Sequence, residues 1–587
     1  MSSPTLFDPA ETEVPKKQRK SKAKAEASTE AESTPTEAPA PEAPQGGGGG
    51  VSKARDISVA EFFEKNRHML GFDSPTKALL MAVKEAVDNS LDACEEAGIL
   101  PDITVEITPT SEKHFLMAVE DNGPGIPDTH IGKIFGKLLY GSKFHKLSQS
   151  RGQQGIGISA AGMYGKLTTG KPVKVISKTR RGRPVETVLS IDSLRNKPEI
   201  HSSQEVAWEG RSHGTRVEIE MEAIYKKGTR SVDMYLKQTA IANPHLTVRY
   251  RDPGGTEFVY ERNTKEKPAK TVDIKPHPHG VELGRLITML KETTSRSLSG
   301  FLQEEFCRVG ATLAGRIIDA AGHGLTTKSY PTRTAREQAQ YLHDAIQKTK
   351  ISAPPSDCIA PIGQELLLKG LEKEITADFY VTATRPPAVY RGNPFQIEVG
   401  LAYGKPGGVG LEVTDEGRIQ KKSKAELATE DLVANADEPA RVLRFANRVP
   451  LLYQQAGCAI TKSIISTNWR SYGLTQPKGS LPIAPMAIMV HIASVWVPFT
   501  SESKEAIAAY DEIIAEVKKA LQDAGRKLGI YIRKGKRLKR EFDKREYIEK
   551  YIPHIGLALQ EILDLTDKTR DEAVETLEDV LHRSRKF

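Results

Sequence analysis

The hydrophobic positions change rhythm several times along the chain, and each change marks a new element. Residues 58–70 (SVAEFFEKNRHML) carry Val59, Phe62 and Phe63 at helical spacing, with His68, Met69 and Leu70 closing the run. Ser74-Pro75 supplies an N-cap followed by proline at the first helical position, and Gly98 supplies a stop. Together they predict a helix from 75 to about 97. Alternation predicts strands at 103–108 and 114–119. A glycine-rich irregular stretch fills 121–157, and further strands are expected at 173–178, 184–191 and 215–220. These elements make a helix-plus-mixed-sheet unit ending near residue 265.

Residues 280–350 lose the alternation and read as four short helices, 281–291, 298–306, 312–321 and 334–349, which form a small all-helical insert. Mixed patterning returns from 360 to 500, with strands expected at 375–384, 395–403, 441–447 and 487–497. A short helix at 461–467 between the last two suggests a right-handed βαβ unit. Ala506, Ile507, Tyr510, Ile513, Val517 and Leu521 recur on one face and predict a long helix over 504–527. A basic stretch and two more helical segments follow.

Composition narrows the class. The 587 residues suggest three or four domains, and a hydrophobic content of 38% is enough for several cores. No long uncharged apolar run is present, so no membrane-spanning helix and no membrane partner are expected. The polar N-terminus does not read as a secretory signal. Cys94, Cys307, Cys358 and Cys458 are too scattered for a disulfide scaffold or zinc cluster and point to a reducing, cytoplasmic setting. The net charge is +8, and residues 526–545 (RKLGIYIRKGKRLKREFDKR) hold ten basic residues against two acidic ones, which equals the whole excess. Residues 1–50 have almost nothing apolar to bury and read as a disordered tail. Its cluster KKQRKSKAK is either a solvated leader or a loose nucleic-acid contact.

Three segments carry candidate chemistry. In KEAVDNSLDA at 84–93, Glu85 and Asn89 lie four apart and share a helix face. A carboxylate there can orient an attacking water, and an amide oxygen one turn later can hold Mg²⁺, a cation that favours oxygen ligands. Taken alone, the pattern is weak, and an ordinary solvated face is the better reading of it. In VEDNGPGIP at 119–127, Asp121 ends a buried strand and can accept the N–H of an exocyclic amine as a hydrogen bond, although Asp-Asn-Gly is also a common turn. In RGQQGIGISAAGMYG at 151–165, Gly152, Gly155 and Gly157 precede a helix-like run whose free amides suit phosphate. The spacing is neither that of the P-loop nor that of the dinucleotide fingerprint. Between the last two segments lies a flap with Lys133, Lys137 and Lys143, and HGTRVEIE at 213–220 places Gly214 and Thr215 before a strand.

In this order the segments resemble the Bergerat-fold (GHKL) ATPases of the gyrase, heat-shock-90, histidine-kinase and MutL superfamily, and most closely the family of DNA topoisomerase VI B subunits, the ATPase subunits of type IIB DNA topoisomerases. FFEKNRHMLGF at 62–72, FGKLLYGSKFH at 135–145 and the distant RFANRVPLLYQ at 444–454 carry the closer match, which spans about 55 to 545. The last stretch sets this family apart from a MutL-like or chaperone-like ATPase. The intact Glu85, Asn89, Asp121 and lid glycines speak against a binding module with a decayed pocket.

The resemblance implies an α+β multidomain chain. It consists of a tail at 1–50, a Bergerat ATPase domain at 51–265, a helix-two-turns-helix domain at 266–350, a ribosomal-protein-like βαβ transducer at 351–527, and C-terminal helices at 528–587 that dock on an A subunit. It implies ATP and Mg²⁺, with Glu85 as general base and Asn89 as metal ligand. Asp121 becomes the adenine-amine acceptor, supported by Thr215, with Gly123 and Gly125 keeping the base pocket open. Gly152, Gln153, Gln154, Gly155, Ile156 and Gly157 form the phosphate lid, and Lys143 joins the nucleotide contacts. Lys504 in SVWVPFTSESKEAIA is the switch lysine sent back to the γ-phosphate, with Lys462 as the alternative. Lys291, Arg296, Arg308 and Arg316 are DNA-contact candidates in the helical insert. The implied partners are the A subunit, double-stranded DNA and a second copy of the chain, across whose ATP site the N-terminal segment straps. The implied place is the nucleoid.

Overall fold

The structure is a computed structural model. It describes residues 61–62, 65–141, 146–152, 155–192, 195–208, 210–404, 411–413, 419–421 and 432–584. The tail at 1–50 and the first part of the 58–70 segment lie outside these residues. What is described of that segment is helical backbone at 61–62 and 65, interrupted at Asn66 (φ −122°) and followed by a short 3-10 turn at Arg67–Leu70 that Gly71 closes at φ +83°.

Helix α1 (Pro75–Glu96) forms as the sequence predicts, with Ser74 extended at the N-cap and Gly98 left-handed beyond the C-terminus. It is buried on most of its circumference, and Lys84, Asp88 and Asp92 are buried along with its apolar residues. β1 (Asp102–Pro109) and β2 (His114–Glu120) follow. The stretch expected to be irregular contains α2 (Asp128–Gly136), which buries Ile131 and Phe135 on one face. Its glycines hid that periodicity. α3 (Gly157–Thr169), β3 (Val173–Lys178), β4 (Val185–Asp192), β5 (Lys197–Glu205) and β6 (Gly214–Glu222) come next. Then come α4 (Val232–Ala242), β7 (Thr247–Arg251) and β8 (Glu257–Tyr260). The eight strands form one sheet in the order β5-β4-β3-β6-β2-β1-β7-β8, antiparallel except for the β1–β7 pair. One core lies between this sheet and α1, α2, α3 and α4.

Four helices, α5 (Leu283–Glu292), α6 (Leu298–Glu305), α7 (Ala311–Ala321) and α8 (Arg336–Lys348), pack around their own apolar cluster, as expected of the insert. An unexpected helix, α9 (Gln364–Glu374), precedes β9 (Phe379–Thr384), β10 (Ala388–Tyr390) and β11 (Asn393–Tyr403). After a small hairpin, β12 (Leu411–Val413) with β13 (Ile419–Lys421), come β14 (Arg441–Ala446), β15 (Val449–Pro450), α10 (Ala459–Ser466) and β16 (Met486–Ser494). β14 and β16 are parallel with α10 between them, so the expected βαβ unit is present. The indole N–H of the fully buried Trp469 donates to Ile464 O at 2.9 Å and anchors the crossover.

The helix expected from 504 starts later and runs further. α11 spans Asp511–Leu563, 53 residues, and the basic stretch lies inside it. α12 (Asp567–Ser584) folds back on its end. Ala506 and Ile507 are buried, but in an extended loop bridged to Phe499, where burial imitated helical periodicity. No described helix is long and apolar enough to cross a membrane.

A buried pair stiffens the second sheet. His491 Nδ1 lies 2.8 Å from Glu398 Oε2, and the Glu398 carboxylate also accepts the Ile362 and Gly363 N–H groups at 2.7 Å. Burial pushes His491 down against the pull of Glu398, and it stays below the usual imidazole range. Burial would raise Glu398, but His491 and the two amides hold it low. Both shifts work against acid. The unfolded histidine takes a proton near pH ~6.5 while the folded one resists, and stability then falls further below ~4.3 as the unfolded glutamate is protonated. The melting temperature should therefore drop between pH ~7 and ~5, and His491→Gln should shrink that drop. Calorimetry across the range checks this, and an equal drop in both proteins would count against it.

Candidate active site

The inner face of α1, the ends of β2 and β6, and the start of α3 enclose a cavity of about 700 Å³. Glu85, Asn89, Asp121, Gly125, Gly152, Gly155, Ile156, Gly157, Thr215 and Lys504 all line it. Gly123 does not line it and acts on Asp121 instead. Lys143, Gln153 and Gln154 lie outside the described residues. Lys462 is exposed on α10 and takes no part in the lining.

At one end Asp121 is buried at the end of β2. Its Oδ1 accepts from Gly123 N at 2.8 Å and Thr215 N at 3.2 Å, and its Oδ2 accepts from Ser90 Oγ at 2.9 Å. Burial pushes the carboxyl up and outweighs these donors. Two glycines are obligatory here. Gly214 sits at φ +146°, where a Cβ would lie 2.0 Å from Asp121 O, and Gly125 sits at φ +73°, where one would lie 2.2 Å from Lys178 O. Ser90 and Gly214 were not assigned as site residues from sequence, although Ser90 directly follows Asn89 on the same helix.

At the other end Glu85 faces the lid. A Cβ on Gly157 would fall 1.8 Å from Glu85 Oε2, so the lid approaches the carboxylate as only glycine allows. Burial works to raise Glu85, but Lys84, with Nζ 3.5 Å from Oε1, and then Lys504 hold it below its ordinary value, so it is ionised at neutral pH. Lys84 stands equally 3.5 Å from Asp88 Oδ2, and Tyr235 donates to Asp88 Oδ1 at 3.0 Å. Asn89 projects into the cavity opposite Gly152, whose Cβ would lie 3.4 Å from the amide oxygen. Lys504, on left-handed backbone at φ +53°, reaches in from the loop before α11 and donates to Arg151 O at 3.0 Å.

The group that sequence reading missed is Arg151. Its guanidinium is buried and donates to Asp92 Oδ1 at 2.8 Å, to both Glu95 oxygens at 2.7 and 2.8 Å, and to Asn243 Oδ1 at 2.6 Å. His245 Nε2 lies 2.8 Å from the same glutamate. Burial would raise Glu95, but Arg151 and His245 hold it well below the carboxylate range. The start of the lid is thus bolted to α1 and to the end of α4. A pair of acids three apart on α1 was the available signal, but its partner lies 59 residues away.

Among the described residues, no cluster of three or more His, Cys, Asp or Glu side chains is placed to hold a metal ion. Asn89 offers one hard oxygen beside the ionised Glu85, which fits a Mg²⁺ whose other ligands are phosphate and water oxygens.

A cavity with a carboxylate at each end, a glycine lid on a helix N-terminus and a lysine entering from a second βαβ unit defines an ATPase of the gyrase B and Hsp90 type joined to a transducer. Residues 75–240 match the family described as histidine kinase-, DNA gyrase B- and HSP90-like ATPase, and residues 354–544 match the topoisomerase VI B subunit transducer. The chain is 47% identical to the B subunit of type 2 DNA topoisomerase 6 from Methanosarcina barkeri, over 87% of this chain and 78% of that one. It is 46% identical to the corresponding B subunit from Archaeoglobus fulgidus, over 91% and 84%. The ATPase region of Saccharomyces cerevisiae topoisomerase II superposes with a TM-score of 0.39 at 11% identity, covering 82% of this chain and 99% of that one. The chain belongs to the family of type 2 DNA topoisomerase 6 B subunits.

Gly214→Ala tests the Asp121 end. A side chain at φ +146° costs about 1–3 kcal/mol and presses on the Asp121 backbone. Titration calorimetry should show ADP binding weakened about tenfold or more, the equivalent of ~1.4 kcal/mol. Unchanged affinity would place base recognition elsewhere.

Proposed function

We propose that this chain binds and hydrolyses ATP as the B subunit of an A₂B₂ type IIB DNA topoisomerase, acting at the nucleoid in the cytoplasm. The observation that carries the reading is Glu85, half-buried and ionised at the wall of the cavity, with the glycine lid pressed against it and Lys504 supplied from the loop after the second sheet's last strand. Family membership supplies the rest.

Phosphoryl transfer needs positioning and neutralisation of charge more than covalent chemistry. An ionised Glu85 takes the proton of an attacking water. Lys504 exchanges Arg151 O for the γ-phosphate and so reports the nucleotide to the transducer. The amides at Gly152 to Gly157 and the N-terminus of α3 hold the phosphates. Asp121 accepts a hydrogen bond from the adenine amine, whereas guanine would turn a carbonyl toward it. A Mg²⁺ held by Asn89 would add Lewis-acid neutralisation of the phosphate oxygens.

Nucleotide binding joins the ATPase domains of two such chains around a duplex. The A subunit, docked on the C-terminal helices, makes the double-strand break through which that duplex passes, relaxing supercoils and resolving catenanes. The exposed basic stretch of α11 attracts backbone phosphates without reading bases. Lys291, Arg296, Arg308 and Arg316 are exposed on the helical insert and can do the same.

Two measurements test the reading. Glu85→Ala should bind nucleotide nearly as well as the parent protein and lose about 10²–10⁴-fold in turnover, the usual worth of general-base assistance. Turnover near the parent level would remove Glu85 from the chemistry. A non-hydrolysable ATP analogue should double the sedimenting mass of the isolated chain, and a species that stays monomeric with the analogue bound would remove the gate.

A further inference from the structure

The nucleotide chemistry makes no use of RFANRVPLLYQ at 444–454, yet this stretch ties the second sheet to the root of the lid. Asn447 and Arg448 form the two-residue turn between β14 and β15, both on left-handed backbone at φ +48° and +68°. Hairpin turns of this length ask for positive φ at both positions; asparagine tolerates it, and arginine is strained there. Strain of this kind persists where contacts over-determine it, and here they do.

The Asn447 amide donates to Ser494 O at 2.9 Å and accepts from Ser494 N at 2.9 Å, which ties it to β16. The same amide donates to Ser150 O at 3.0 Å, at the root of the lid. The Arg448 N–H donates to His491 Nε2 at 2.9 Å, and its guanidinium donates to Ala360 O and Pro361 O. That guanidinium also stands 3.9 Å from Glu95, the carboxylate that Arg151 grips. Asn243, which accepts from Arg151, donates to Arg448 O at 3.2 Å. The turn therefore meets the lid root, α1 and the end of α4 at one point. Lys504 can leave Arg151 O for a ligand. The Asn447–Ser150 bond involves no group that a nucleotide would claim.

We propose that Asn447 and Arg448 are positioning residues that form a nucleotide-independent joint between the lid root and the transducer sheet, the hinge about which that sheet turns when Lys504 changes partner. The inference rests on the functional reading above. With residues 150–151 held by Arg151 on one side and Asn447 on the other, the second sheet turns about a fixed pivot. Without Asn447 the pivot slips relative to the sheet, and hydrolysis no longer compels transducer movement.

The test uses the complete complex with its A subunit. Asn447→Gly keeps the turn, because glycine adopts φ +48° freely, and removes every side-chain bond. Arg448→Lys keeps the charge and loses the planar fork. Two quantities are read: ATP consumed per strand-passage event, and affinity for a non-hydrolysable analogue. Asn447→Gly should bind the analogue within about twofold of the parent and consume at least about fivefold more ATP per passage, the lower end of an allosteric coupling. Arg448→Lys should shift the same ratio in the same direction. If Asn447→Gly fails to fold, Asn447→Asp, which keeps the acceptor for Ser494 N and loses the donor to both Ser150 O and Ser494 O, carries the measurement. An unchanged ATP-to-passage ratio in these variants overturns the joint, as does a loss of passage matched by an equal loss of analogue affinity. A parent complex that passes no strands with ATP overturns the functional reading instead, and the joint with it.

Discussion

The site depends on one buried ionic cluster. Arg151 and Asp92 are buried and Glu95 is partly so, and each ion in such a place costs several kcal/mol unless its geometry and hydrogen bonds are complete. Here Arg151 and His245 meet the acids and Asn243 accepts from the guanidinium, whose Nε–H alone stays buried without a partner. A cluster of this kind does not tolerate half-formed states, because a single missing partner leaves a bare charge in the interior. The root of the lid is consequently fixed to α1, and the cavity has one rigid wall. Any change in the enclosure must come from the glycines after the pivot or from the loop that delivers Lys504.

The two carboxylates of the cavity show how neighbours decide what burial does. Both Glu85 and Asp121 are pushed up by desolvation. Two ammonium groups reverse the effect at Glu85 and keep it charged. Asp121 meets mainly neutral donors, which soften the push without reversing it. One end of the cavity therefore keeps a base ready for a proton, while the other keeps a hydrogen-bonding partner of reduced acidity. The difference lies in a lysine beside one residue and a serine beside the other.

Much of this was legible in the sequence where the determinants are local. Ser74-Pro75 and Gly98 delimit α1 within a residue or two, and alternation locates most of the core strands. Glu85 and Asn89 share a face because a helix repeats, and the lid is visible because glycines precede a helix. The illegible parts depend on contacts between distant residues. Arg151 looks like any charged residue before a glycine run until Asp92 and Glu95 close on it. Ala506 and Ile507 have helical spacing but are buried against the start of α10, where Ala459 N donates to Ile507 O. α2 was obscured because its glycines weaken propensity, while Ile131 and Phe135 are held by tertiary packing.

The length of α11 has a mechanical consequence. Its 53 residues rise 1.5 Å each, so the helix spans about 80 Å. Its root is tied to the second sheet by Arg385, which reaches both Glu516 and Asp523, and by the stacking of Tyr531 on Phe379. Buried residues become sparse beyond Ile532. The helix begins seven residues after Lys504, so the loop that touches the nucleotide cavity is also the fulcrum of a long shaft. A tilt of only ~5° at that fulcrum carries the far tip of a straight ~80 Å helix about 7 Å, more than one helical turn. A displacement at the cavity too small to open a gate by itself thus becomes, at the other end, a movement on the scale of a secondary-structure element.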